Sequence, residues 1–231
     1  MEFISSRMKI FGLESEPHFA NEILSLWNET NFLELQPFIK EHYWCGNASV
    51  NVFRVVGTRH PDYANKTWLH VLMNAKRMNN INIPLYCSNP GYYQETCAKD
   101  PYMHYQSIDG GDLFIGNEGN HRTTIARFDF YKKGITNLHG VFLDDYKIDW
   151  EFKKIYDEAN TIIREKGLRI YISLNKSIVE RQDTVAWKLD KYKLTAKIWD
   201  AKKGEEVKID NHLEFDRYLT VLKKPRWKLW G

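Results

Sequence analysis

The stretch that decides how this chain is read is Asp112-Leu113-Phe114-Ile115-Gly116-Asn117-Glu118-Gly119-Asn120-His121-Arg122-Thr123-Thr124-Ile125-Ala126-Arg127. Leu113–Ile115 is a short apolar strand, and Gly116-Asn117-Glu118-Gly119 is a turn. A helix is predicted from Asn120 to Lys133, with Ile125 and Phe128 on its apolar side and Gly134 as its stop. A helix start of this kind exposes free backbone N–H groups and the positive end of the helix dipole, both of which favour an anion. Gly119 lets backbone approach a ligand closely. Arg122 offers a two-pronged fork suited to phosphate. His121 can donate to an oxyanion or carry a proton near neutral pH, and Thr123 and Thr124 add hydroxyls. Cationic side chains here oppose the dipole, a cost that makes sense when an anion is the missing partner. The plain alternative makes Asn120 only an N-cap, Arg122 the partner of a nearby carboxylate and His121 a surface residue.

Outward from this run, residues 17–28 are predicted to be a helix with Phe19, Ile23, Leu26 and Trp27 on one face. Val50–Val56 reads as a strand stopped by Gly57, and 65–79 as a second helix. Ile81–Tyr86 reads as an edge strand around Pro84. Residues 87–111 are irregular and long enough to suggest a functional loop. Leu138–Leu143 is a strand. Asp149–Lys166 is the clearest helix, N-capped by Asp149. Leu168–Leu174 is a strand, 184–189 and 192–209 are β structure with a hairpin at Lys202-Lys203-Gly204, and Leu213–Leu222 is a closing helix. The mixture predicts an α+β fold with three segments: 1–80, 81–167, and a β-hairpin and helix extension over 168–231, together one compact domain.

The 231 residues suffice for a sizeable core. A net charge of +3 and a pI near 8.6 permit nucleic-acid contact without requiring it. Cys45, Cys87 and Cys97 have no regular spacing, which argues against a disulfide framework and for a reducing compartment. No zinc-ligand spacing, Walker-type loop or Gly-x-Ser-x-Gly elbow is present. With no stretch near ~20 apolar residues and no basic start with an apolar run, the expectation is a cytoplasmic protein.

Asp112 to Leu143 resembles the signature of the ParB/sulfiredoxin superfamily, whose members carry a strand, a Gly-x-His-Arg or Gly-Glu-Arg-Arg type turn, a helix and a further strand. The resemblance implies a ParB/sulfiredoxin-like mixed sheet, and implicates Gly119, Asn120, His121 and Arg122 in holding nucleotide phosphates. Members include CTP-binding partition proteins, sulfiredoxins, free-serine kinases, and plasmid fertility inhibitors with nuclease and ATPase activities. Sulfiredoxins place their catalytic Cys just before the motif His; here that residue is Asn120, which argues against their chemistry. Partition proteins continue into an all-helical DNA-binding region, whereas 168–209 reads as β.

The leading expectation is therefore an enzyme, a Mg²⁺-dependent phosphohydrolase acting on ATP, another nucleotide or DNA. Glu118, His121 and Arg122 would be its catalytic residues. Gly119, Asn120, His121, Arg122, Thr123 and Thr124 would be its phosphate contacts, and Glu118 and Asp112 its metal ligands. Among the other carboxylates, Glu95, Asp100 and Asp109 read as loop residues and Asp144-Asp145 as a capped turn. His139 reads as a packed or surface strand residue, and His104 and Tyr105 as core. A second expectation is a non-catalytic DNA- or nucleotide-binding factor of a plasmid or phage. A third is an interaction protein using the aromatic loop 86–105 or the basic tail. In that tail Lys223, Lys224, Arg226 and Trp227 are candidate nucleic-acid contacts.

Overall fold

A computed structural model gives the architecture and describes residues 6–224. In chain order the strands are β1 (Ser25–Leu26), β2 (Ile39–Asn51), β3 (Val55–Thr58), β4 (His104–Ile108), β5 (Leu113–Ile115), β6 (Asn137–Ile148), β7 (Ile170–Asp183), β8 (Trp187–Asp200) and β9 (Glu205–Ile209). The α-helices are α1 (Ser6–Ile10), α2 (Glu29–Leu35), α3 (Trp68–Asn74), α4 (Ile83–Ser88), α5 (Asn120–Lys133), α6 (Trp150–Glu165) and α7 (His212–Lys223). Parallel and antiparallel strands share the chain with helices, so the fold is α+β, as expected.

The chain divides into two units. One comprises Met1–Asn28, Tyr43–Asp145 and Thr184–Lys188; the other comprises Glu29–His42, Tyr146–Asp183 and Leu189–Gly231. These bounds cut across the expected segments 1–80, 81–167 and 168–231. Strands β2 and β6 each give residues to both units, and no local pattern signals a strand that changes unit partway along. Among the described residues no helix is long and apolar enough to cross a membrane.

In the first unit the strand order is β1–β3–β5–β4–β6–β2. β3 lies parallel to both β1 and β5, and β4 runs antiparallel to β5. Helix α5 has the predicted limits and ends on Gly134 in the left-handed conformation (φ 65°). It is buried on nearly every side. Ile125, Ala126, Phe128 and Phe130 are solvent-free, and so are Thr123 and Thr124. Full burial of each large apolar side chain contributes about 1.5–3 kcal/mol. Two charged residues of α5 are buried with partners. Arg127 donates to Val55 O (2.6 Å) and Glu22 (2.7 Å) and stacks on Trp68 and Phe19. Asp129 accepts from Tyr86 Oη (2.6 Å) and Lys133 (2.8 Å).

Several local expectations are overturned here. Residues 17–28 are not a helix: a 3-10 turn over His18–Asn21 leads into β1, leaving Ile23 and Leu26 exposed. The cause lies far along the chain. Gly57 sits inside β3 rather than stopping a strand, and only its missing side chain lets the Ser25 carbonyl come so close. The predicted helix 65–79 ends at Asn74 and gives way to a π turn, Met78–Asn82. Ile81–Tyr86 is not an edge strand; Pro84 occupies the first turn of α4, where its missing N–H costs nothing. Part of the irregular loop is β4. Asp144-Asp145 lie inside β6, and Asp145 reaches across to Ser107 Oγ (2.6 Å) and Gly110 N (2.7 Å).

In the second unit Asp149 caps α6 through Phe152 N at 3.0 Å, as expected. α6 packs on α7: Phe152, Ile155 and Ile163 of α6 and Phe215 and Leu219 of α7 are buried, and the Phe152 and Phe215 rings lie 5.0 Å apart. β8 and β9 form the predicted hairpin, in register from Ala196↔Ile209 to Asp200↔Glu205, with Asp200 accepting from Lys202 N in the turn. Lys223 pairs with Glu158 at 2.7 Å and Lys224 is exposed. Arg226 and Trp227 lie outside the described residues.

Candidate functional site

The N-terminus of α5 opens onto a cavity of about 500 Å³ in the first unit. Its wall includes Glu118, Gly119, Asn120, His121 and Arg122 of the motif. The wall also includes residues from the breaks around α3: His60, Asp62 and Tyr63 before it, Lys76, Arg77 and Asn82 after it. Gly119 is the residue before the helix and has φ 121°, ψ −3°, a conformation that costs any residue with a Cβ. It precedes the first N–H groups of α5, which helix geometry leaves without intrahelical acceptors and whose residues, Asn120 to Arg122, line the cavity.

The side chains the sequence singled out are used unevenly. Arg122 is half-buried, and its guanidinium donates to Tyr92 Oη (2.9 Å), Tyr102 O (2.9 Å) and Pro101 O. It therefore ties the 92–102 loop to the helix start while lining the cavity. His121 has both ring nitrogens engaged, Nε2 with Tyr63 Oη (3.0 Å) and Nδ1 with Asn82 Nδ2 (3.2 Å). Burial, then the charges of Arg77, His60 and Arg122, hold His121 below the ordinary imidazole value, with Glu118 opposing. Asn120 is 7% exposed and its Oδ1 has no hydrogen-bond partner.

Thr123 and Thr124 do not reach the cavity wall. Both are solvent-free, and their hydroxyls donate back to Gly119 O (2.8 Å) and Asn120 O (2.9 Å). Sharing a helix start with the site, they were predicted as phosphate contacts, but helical geometry turns them inward. Asp112 is also misplaced as a metal ligand. It precedes β5 while Glu118 follows it, and a three-residue strand at ~3.3 Å per residue separates them by roughly 10 Å or more. Glu118 remains, exposed on the cavity wall with Asp62.

The remaining candidates lie elsewhere in the first unit. His139 pairs with Ser49 (2.7 Å) and His104 with Asp144 (2.7 Å). Glu95 accepts from Cys97 Sγ, and Asp100 lines a separate cavity of about 250 Å³ that shares Asn82 and Arg122 with the larger one. Of the aromatic loop 86–105, Tyr86, Tyr93, Met103 and Tyr105 are in the core, and Tyr102 is 43% exposed. The three cysteines are free.

Sequence reasoning missed Tyr63, Lys76, Arg77 and Asn82. The Lys76 and Arg77 side chains have no ion pair or hydrogen bond among the described residues, and they line the cavity beside the helix N-terminus together with the exposed carboxylates of Asp62 and Glu118. A Lys-Arg pair reads as an ordinary solvated helix face; only the unpredicted end of α3 at Asn74 turns it toward the motif. Among the described residues no group of three or more His, Cys, Asp or Glu side chains is placed to hold a metal ion. Comparisons with family models, curated proteins and solved structures return no match for this chain.

Proposed function

We propose that this cavity binds a phosphate-bearing ligand, a nucleotide or a nucleic-acid backbone, and that the chain is a divergent ParB/sulfiredoxin-like protein. The observation that carries the reading is the convergence of unpaired Lys76 and Arg77 with the Gly119–His121 helix start on one cavity of about 500 Å³. Lys76, Arg77 and Arg122 outnumber Asp62 and Glu118 on this wall, and both that excess and the positive end of the helix dipole would favour an oxyanion. Phosphate sites usually hold Mg²⁺ by one or two carboxylates, with the remaining positions filled by phosphate and water, and Glu118 and Asp62 are the carboxylates this cavity offers. Glu118 and Asp62 would hold the ion. It would supply charge neutralisation on the phosphate, and Arg77, Lys76 and the α5 N–H groups would orient the ligand and stabilise charge that builds on it.

Calorimetry with ATP, CTP and GTP in Mg²⁺ tests this, on the parent and on Arg77→Ala. Binding by the parent, weakened at least about tenfold by the substitution, is expected. Equal binding by both proteins, or none by the parent, refutes the site. Whether the protein turns its ligand over is decided by product formation in the same samples over hours. A phosphohydrolase, ATPase or nuclease yields phosphate or cleaved DNA. A binding switch yields neither, and that second reading is favoured by Arg122, whose guanidinium is already committed to loop carbonyls.

A further inference from the structure

The way His121 is held determines which hydrogen the cavity offers. Asn82 Nδ2 lies 2.9 Å from Arg77 O and 3.2 Å from His121 Nδ1. A carbonyl oxygen can only accept, so the atom of Asn82 facing Arg77 O is the amide nitrogen. That same NH₂ then points its second hydrogen at His121 Nδ1, which must carry a lone pair and no proton. The single proton of the neutral ring is thereby placed on Nε2, and Nε2–H donates to Tyr63 Oη at 3.0 Å. Having accepted from His121, the Tyr63 phenol keeps its own hydrogen to give elsewhere. Among the described residues no acceptor takes it, and Tyr63 lines the cavity.

We propose that Tyr63, rather than His121, is the side chain that donates a hydrogen bond to the ligand's oxyanion, and that Asn82 and His121 are positioning residues that orient its hydroxyl. The proposal rests on the reading that the cavity takes a phosphate. The charged and titratable groups around the pair are Arg77, His60 and Arg122 on the positive side, and Glu118 and Asp62 on the negative. The positive groups disfavour a second proton on His121, and such a proton would also meet the Asn82 amide hydrogen head-on. An ordinary phenol ionises at about 10, so the Tyr63 hydroxyl keeps its hydrogen through neutral pH. The chain of donors runs in one direction: Asn82 to His121, His121 to Tyr63, Tyr63 to the ligand.

Two measurements test this. Long-range ¹⁵N–¹H spectra of the His121 ring in the ligand-free parent at pH 7.5 should show Nε2–H with a bare Nδ1. A protonated Nδ1 would overturn the proposal whether or not any variant folds. In calorimetry with ATP and Mg²⁺, Tyr63→Phe should weaken binding about tenfold, the loss of one hydrogen bond to a charged acceptor. Asn82→Asp, which accepts from Nδ1–H and so inverts the ring, should move the His121 spectrum to the other tautomer. It should also weaken binding in the parent by more than it does in the Tyr63→Phe background, where only its charge acts. Undiminished binding by Tyr63→Phe overturns the proposal alone. Absence of ATP binding by the parent, with Nε2–H observed, overturns the phosphate reading and Tyr63's contact together while leaving the donor chain standing.

Discussion

Replacing Thr123 by Val separates a phosphate contact from a buried support. Thr123 Oγ1 has one hydrogen, and it goes to Gly119 O at 2.8 Å. The contact with Tyr105 Oη at 2.6 Å must therefore have Tyr105 as donor and Thr123 as acceptor. Tyr105 is solvent-free, and burial raises its phenol, so the hydroxyl keeps its hydrogen. Val matches Thr in shape, so it leaves no cavity and strands only the Tyr105 donor. Gly119 O keeps the Thr123 backbone N–H at 2.7 Å. A buried donor without an acceptor costs about 1–3 kcal/mol. At the centre of that range the melting temperature falls by roughly 4–8 °C for a chain of this length. Thermal and urea melts measure it, with Tyr105→Phe and the double variant completing a cycle. Because removing both partners leaves nothing unsatisfied, the double variant should lie within about 1 kcal/mol of the parent. Nucleotide binding by Thr123→Val should remain. A variant that melts like the parent yet loses its ligand would show that the hydroxyl faces the site, and the orientation argued here would be wrong.

Arg127→Met keeps the length of the side chain but leaves the Val55 carbonyl without its donor and removes the stacking on Trp68 and Phe19. A loss of about 2–4 kcal/mol in urea unfolding is expected; a loss below about 1 kcal/mol would show that burying this guanidinium, held down at about 10, nearly cancels its contacts. The lowered native value of His121 also has a pH consequence. The unfolded state binds the proton more readily, so this contribution is fully present above the unfolded value near 6.5 and is lost as pH falls through the native value. Urea midpoints should therefore decline as pH falls below about 6.5, and His121→Gln should flatten that decline; an equal slope in both proteins would assign it to other groups.

Helices α5, α6 and α7 were legible because their signals are local: Asp149 as cap, Gly134 as stop, and a turn rich in glycine before Asn120. The β8–β9 hairpin was legible from Lys202-Lys203-Gly204 for the same reason. The π turn and α4 were misread because Pro84 fits either a strand edge or a first helical turn, and only packing chooses between them. Half of the candidate site was visible in Glu118–Arg122. The other half, Tyr63, Lys76, Arg77 and Asn82, has no motif, because these residues are unremarkable until the end of α3 brings them to α5.

The sequence by itself determined that a helix begins at Asn120 behind a glycine turn, and that His121 and Arg122 stand at its positive end, since capping and φ preference act over four or five residues. The tertiary structure decided what those residues do. Burial turned Thr123 and Thr124 inward, loop carbonyls claimed Arg122, and the amide of Asn82 set the proton of His121 on the nitrogen facing Tyr63. Hydrogen-bond direction depends on which atoms meet, and residues 39 and 58 positions away in the chain meet His121 only when the unit has folded.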